Sequence, residues 1–304
     1  MHGLGERPTG GSVMACAGME SVVGCKVQGA QRGVLLYDSH FHMDRSCRNL
    51  GLTVPASLQD LERRRSAVSG SAGLGGGVAV YCDPATYPSE GEIRRLVEGN
   101  VVAAVGIHPK SAGTLTDEVR HRLSALLRSP LVVGLGEVGL DHSVPSSEWG
   151  IQQDCLQTVL QFLEPRHVLV LHCRGMRGQS SEEAYCSMLY QLISSVPSEQ
   201  RIHLHCFSGN RRVYERWSRY FPNTFYGLTR MVASVGPDDL DGIRMVPQNQ
   251  LLLETDAPYF KCPTPHSLGE VAEAVGKRLK LDPSELLAIT ARNGAQLYGY
   301  HLRG

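Results

Sequence analysis

Two histidines stand two apart in Asp38-Ser39-His40-Phe41-His42, and the other residues able to do chemistry recur singly along the chain: His108, Glu137, His172, His205 and Asp256. Four of the histidines with the two carboxylates make a coherent ligand set for divalent metals. Neutral imidazole suits zinc or manganese, and carboxylate oxygen suits magnesium or manganese. A single zinc rarely takes more than four protein ligands, whereas a larger set serves two ions that share a bridging carboxylate. Two such ions lower the pKa of a shared water and clamp the attacking and leaving oxygens of a displacement. Each residue also has an ordinary reading. An i, i+2 pair points one way at the end of any strand. His172 or His205 alone suits a hydrogen-bonded core histidine, and Asp256 can turn the chain before Pro258. For Glu137 the alternative is a buried salt bridge, because an unpaired buried carboxylate is costly. Only the set points to metal.

The elements that must position these groups are legible as short β-branched, apolar runs. They cover Leu35–His42, Gly77–Cys82, Val101–His108, Val132–Asp141, Val168–Cys173, Ile202–Cys206, Thr224–Thr229 and Gln250–Asp256. Segments with apolar residues three and four apart lie between them, at 57–68, 117–129, 147–164 and 181–196. The last two open on a serine able to cap a helix. A further helix starts at Asp282-Pro283 and runs to about Gln296. Strands alternating with helices predict an α/β fold, a (β/α)₈ TIM-type barrel. An open doubly wound sheet would carry a glycine-rich phosphate loop after its first strand, and none is there. Gly73–Gly77 reads as a loop before the second strand.

Strands buried on both faces should be apolar throughout. Here the polar exceptions gather at C-terminal ends, which a barrel collects around one mouth. Barrel order then gives His40, His42 and Asp256 to one ion and His172 and His205 to the other, with Glu137 bridging. His203, deeper along the sixth strand, reads as structural.

Thirty basic and thirty acidic residues leave no net charge, so no global field favours nucleic acid or membrane, and any anion site must be local. Nine cysteines, an odd number without a CxxC pair, favour a reduced intracellular setting, cytoplasmic or nuclear. No run approaches the roughly 18 apolar residues of a membrane helix. Residues 1–33 lack the pattern of a signal peptide and read as a flexible or irregular leader before a barrel domain at 34–304.

Taken together, the stretches at 38–44, 106–109, 136–141, 171–174, 205–209 and 254–259 resemble the TatD family of metal-dependent deoxyribonucleases, within the amidohydrolase-like barrels. The segment at 291–300 resembles that family's closing helix. The resemblance implies two divalent cations (magnesium, manganese or zinc) and hydrolysis of phosphodiester bonds in DNA, at single strands or ends. It matches His40, His42, Glu137, His172, His205 and Asp256 to metal positions. Asp256 also matches a catalytic carboxylate that orients or deprotonates water, and Glu137 and Glu254 join it as acidic groups of the catalytic site. His108 matches a phosphate contact, with a structural histidine as the alternative. Arg174 and Arg177, or Arg211 and Arg212, are placed to grip phosphate oxygens or to form a solvated face. Phe207, Tyr226 and Tyr259 either stack on bases or pack. The loop after Phe260 and the pair His142-Ser143 depart from the family pattern, both in substrate loops. Other readings are a metal-dependent hydrolase of esters, lactones or amides and a non-catalytic metal- or partner-binding barrel. Neither a membrane nor an obligate protein partner is implied.

Overall fold

Eight strands run parallel in chain order, each hydrogen-bonded to the next. In the computed structural model, which describes residues 36–52, 57–63 and 73–299, they are β1 (Leu36–Phe41), β2 (Leu74–Tyr81), β3 (Val101–Val105) and β4 (Val132–Asp141). The series continues with β5 (Val168–Arg174), β6 (Ile202–His205), β7 (Thr224–Leu228) and β8 (Leu251–Leu253). Helices fill the crossovers: α1 (Met43–Asn49), α2 (Leu58–Arg63), α3 (Glu90–Glu98), α4 (Asp117–Arg128), α5 (Trp149–Leu160) and α6 (Glu182–Ile193). After them come α7 (Arg211–Tyr220), α8 (Pro237–Met245), α9 (Leu268–Leu279) and α10 (Pro283–Tyr298). This is the expected (β/α)₈ barrel. No described helix is long and apolar enough to cross a membrane.

Alternation along the strands decides what faces inward. Val78 and Val80 of β2, Val168 and Val170 of β5, Phe225 of β7 and Leu252 of β8 form one buried cluster inside the barrel. Their neighbours Ala79, Tyr81, Leu169, Leu171 and Leu253 belong instead to the clusters beneath the helices.

The last seam joins β1 to the chain beyond β8. Asp256 N donates to His40 O at 3.0 Å and His42 N to Ala257 O at 2.9 Å. Below them the buried Asp38 carboxylate accepts from Thr255 N at 3.0 Å and from the Thr255 hydroxyl at 2.5 Å. Thr255→Val keeps the shape but strands a buried acceptor. It is expected to cost about 1–3 kcal/mol, read as a lower urea midpoint at constant slope.

Two expectations change. Gly73–Gly77 is not a loop, because β2 begins at Leu74 and takes in the glycines. They are needed there: a Cβ on Gly77 would meet Asp38 O at 2.6 Å across the β1–β2 seam. The serines thought to cap α5 and α6 do not do so. A short 3₁₀ turn at Ser146–Glu148 precedes α5, and Ser181 is itself helical, its hydroxyl accepting from Gly175 N. The leader at 1–33 and the end of the helical segment at 57–68 lie outside the described residues.

Candidate metal centre

The inward parity that builds the apolar core continues to the strand ends. Two residues beyond Val170 comes His172, two beyond His203 comes His205, and two beyond Leu252 comes Glu254, then Asp256. His40 lies near the end of β1 and His42 just beyond it, and all these groups are buried or nearly so. With Arg45, Lys110 and Tyr259 at its rim, His42, His108, Glu137, His172, His205 and Asp256 enclose a cavity of about 370 Å³.

What each imidazole offers is set by the partner of its far nitrogen. His42 Nδ1 lies 3.1 Å from the Val80 carbonyl, which only accepts. Nδ1 therefore carries a proton and Nε2 faces the cavity. His205 is held likewise, Nδ1 at 3.0 Å from Glu254 Oε1 and Nε2 inward. His172 is clasped at both ends, Nε2 by Asp141 at 3.1 Å and Nδ1 by Glu137 Oε1 at 2.5 Å. His108 is turned the other way. Its Nδ1 accepts from Lys110 N at 3.1 Å, which leaves Nε2–H as a donor facing Glu137 Oε1 at 3.8 Å. Burial keeps this ring neutral, with a pKa down at about 3.

Glu137 divides the cluster. Its Oε2 lies 3.7 Å from both His40 Nε2 and His42 Nε2, and its Oε1 faces His172 and, at 3.7 Å, His205 Nε2. Asp256 spans the same two sides: Oδ1 is 3.2 Å from His42 Nε2 and Oδ2 is 3.8 Å from His205 Nε2. Burial would raise the Glu137 pKa, but His108, His205 and His172 hold it well below the carboxylate range. Burial would likewise lower His205, yet Glu254, Asp256 and Glu137 bring it up to about 10. The site pulls strongly for positive charge.

Residues 37–299, nearly all the described barrel, match the profile of the TatD related DNases. The chain belongs to that family. A TatD 3′-5′ ssDNA/RNA exonuclease of Cronobacter sakazakii is 28% identical over 279 residues, 82% of this chain and 97% of that one. The human 3′-5′ RNA nuclease TATDN2 is 33% identical over 192 residues. That match takes in 61% of this chain and 24% of TATDN2, so the chain spans about a quarter of that relative. The solved TatD homologue YjjV of Escherichia coli K12 shares the fold, with a TM-score of 0.68 at 22% identity over 88% of this chain and 98% of its own.

The residues of this TatD-related chain fit a divalent metal on their own geometry. His40 is fully buried, yet neither ring nitrogen makes a hydrogen bond, and its ring stacks on His205 at 3.7 Å. Its Nε2 stands 3.7–3.8 Å from Glu137 and Asp256, too far for direct bonds. Such spacing is uneconomic for buried polar groups by themselves and natural for donors around a cation. His40 with His42 and Glu137, and His40 with His205 and Asp256, each bring their donors within reach of one ion.

Not every residue singled out in the sequence lies in this cavity. Arg174 does, whereas Arg177 lines only an adjoining one. Arg211 pairs with Asp241 at 2.8 Å, and Arg212 lines a groove with acidic residues elsewhere. Phe207 and Tyr226 are core residues; Tyr259 stands at the rim. Glu254 is fully buried behind His205, between it and His203 Nε2 at 3.0 Å. Sequence reasoning passed over Arg45, Lys110 and Asp141. Asp141 is a strand-end carboxylate that closes β4 and hydrogen-bonds His172. Arg45, 3.5 Å from His42 Nε2, is one helical turn past that histidine, a nearness only the fold of α1 creates.

Gly227 makes room for Glu254, since a Cβ there would run into its carboxylate. Gly227→Ala is therefore expected to push Glu254 off His205 and weaken metal binding about 10–100-fold, measured by titration with manganese or zinc.

Proposed function

We propose that the protein is a divalent-metal-dependent nuclease that hydrolyses phosphodiester bonds of DNA or RNA at single strands or ends. The observation that carries this is the division of Glu137, with one oxygen toward His40 and His42 and the other toward His172 and His205. It supports two ions sharing that carboxylate. Family membership supports the substrate class, and the nucleases among the relatives act on single-stranded DNA or RNA by name. A cavity of about 370 Å³ suits a chain end better than a duplex.

In this reading His40, His42 and Asp256 hold one ion and His172 and His205 the other. Bound divalent ions supply electrophilic stabilisation of the phosphoryl oxygens and an acidified water. The chain's own groups do the rest. Asp256, open to the cavity and aimed at both sides, orients the attacking water and takes its proton. The neutral His108 offers its Nε2–H to a non-bridging oxygen. Lys110 and Arg174 on one wall and Arg45 on another offset the phosphate charge. Glu254 acts through His205, its ion-pair partner, and Asp141 through His172, its hydrogen-bond partner, each fixing the ring it faces.

The test is turnover by metal-depleted and reconstituted protein on single-stranded DNA, RNA and a panel of carboxylic esters. Nucleotide release should vanish with chelator and return with manganese or magnesium. Ester hydrolysis without phosphodiester cleavage would contradict the reading. Manganese at a hundred times its Kd should also stabilise the fold by about 2.7 kcal/mol, a rise of roughly 5–10 °C in Tm.

A further inference from the structure

A second cavity, of about 220 Å³, adjoins the metal cavity and shares Lys110, His172, Arg174 and His205 with it. We propose that it seats one terminal nucleoside of a nucleic-acid strand whose scissile phosphate lies at the shared wall, an inference that rests on the nuclease reading above.

Five successive strand-to-helix connections build this cavity, beginning with the shared Lys110 after β3. Ser143 follows β4, Met176 and Arg177 follow β5, Ser208 follows β6, and Met231 follows β7. The metal cavity alone draws on the ends of β1 and β8, through Arg45 and Tyr259. A strand reaching the metal centre from the β1–β8 side therefore has one compartment ahead of it. At 220 Å³ that compartment is smaller than the roughly 300–1,000 Å³ of ordinary ligand pockets, which suits one unit of a polymer.

Its chemistry has two parts. Cations Lys110, Arg174 and Arg177 line it, and no carboxylate does. Asp141 lies beneath and takes part of the charge of Lys110 (3.3 Å) and Arg174 (4.0 Å), while exposed Arg177 makes no ion pair among the described residues. The wall is thus open to an anion and unsuited to a further metal. The remaining surface is rich in sulfur. Met231 Sδ lies 3.6 Å from Cys206 Sγ, and Cys173 and Met176 add to the same lining. Polarisable sulfur packs well on flat aromatic rings, and a nucleobase offers one without demanding a particular sequence. An inorganic anion alone would leave that surface unused. A nucleotide uses both parts.

Methyl 4-nitrophenyl phosphate and the thymidine 3′- and 5′-(4-nitrophenyl phosphates) share a leaving group and differ in the nucleoside. Manganese-loaded wild type is expected to favour the better thymidine ester by about tenfold or more in kcat/KM. It should also bind thymidine monophosphate about tenfold tighter than inorganic phosphate, read by competitive inhibition. Met231→Trp, which fills the compartment, should bring both ratios to about twofold or less, and Met231→Leu should keep them. Equal turnover of the esters by wild type, or ratios unchanged in a folded Met231→Trp protein, overturns the nucleoside seat and leaves the nuclease reading standing. The two wild-type ratios decide the matter even if the tryptophan variant does not fold. No turnover of any phosphodiester, oligonucleotides included, overturns the nuclease reading and this inference with it.

Discussion

Glu137→Gln is expected to lower phosphodiester turnover by about a thousandfold or more and to reduce metal content. The amide has the size of the carboxylate but not its symmetry. Glu137 turns one oxygen to His40 and His42 and the other to His172 and His205. A glutamine can offer its oxygen to one side only, and its NH₂ must then face the other as a donor. It also removes a buried negative charge from among five histidines, the charge that holds the site attractive to cations. A thousandfold loss corresponds to about 4 kcal/mol of transition-state stabilisation, within the reach of one misplaced charge in a buried site. Metal analysis alongside kinetics checks it: the variant should retain at most one ion per chain. Wild-type turnover with full metal content would contradict it.

Asp256→Asn should separate chemistry from binding. Asp256 faces the histidines and, like Glu137, lines the cavity, with its two oxygens on opposite sides. An asparagine still coordinates through oxygen but is no proton acceptor. At saturating metal, kcat is expected to fall by about 10²–10⁴-fold, the usual share of a general base, while KM stays within a few-fold. An unchanged kcat with weakened metal binding would make Asp256 a ligand only.

The barrel and the inner face of its site were legible because one physical rule governs both. Period-two alternation carries Val168, Val170 and His172 along a single face, so a polar residue ending an apolar strand is already aimed at the mouth, whereas Asp256 lies beyond β8 with a φ of +52°. What was not legible depends on elements meeting. The tautomer of His42 is set by Val80, 38 residues later, and that of His108 by a turn amide at Lys110. Glu254 reads as a catalytic acid by its spacing from Asp256, and only the packing of β6 beside β5 and β7 shows it behind His205. The Gly73–Gly77 run misled because glycine usually marks a loop, whereas here the bare backbone lets β2 press against β1. Arg177, three residues past Arg174 and outside any helix or strand, ends in the neighbouring cavity.

An anomalous-difference map from manganese-loaded crystals tests the centre most directly. Two peaks are expected, one among His40, His42 and Asp256 and one beside His172 and His205, each against a different oxygen of Glu137. A map with no peak at Glu137, or with metal held only by residues outside this set, would contradict the account.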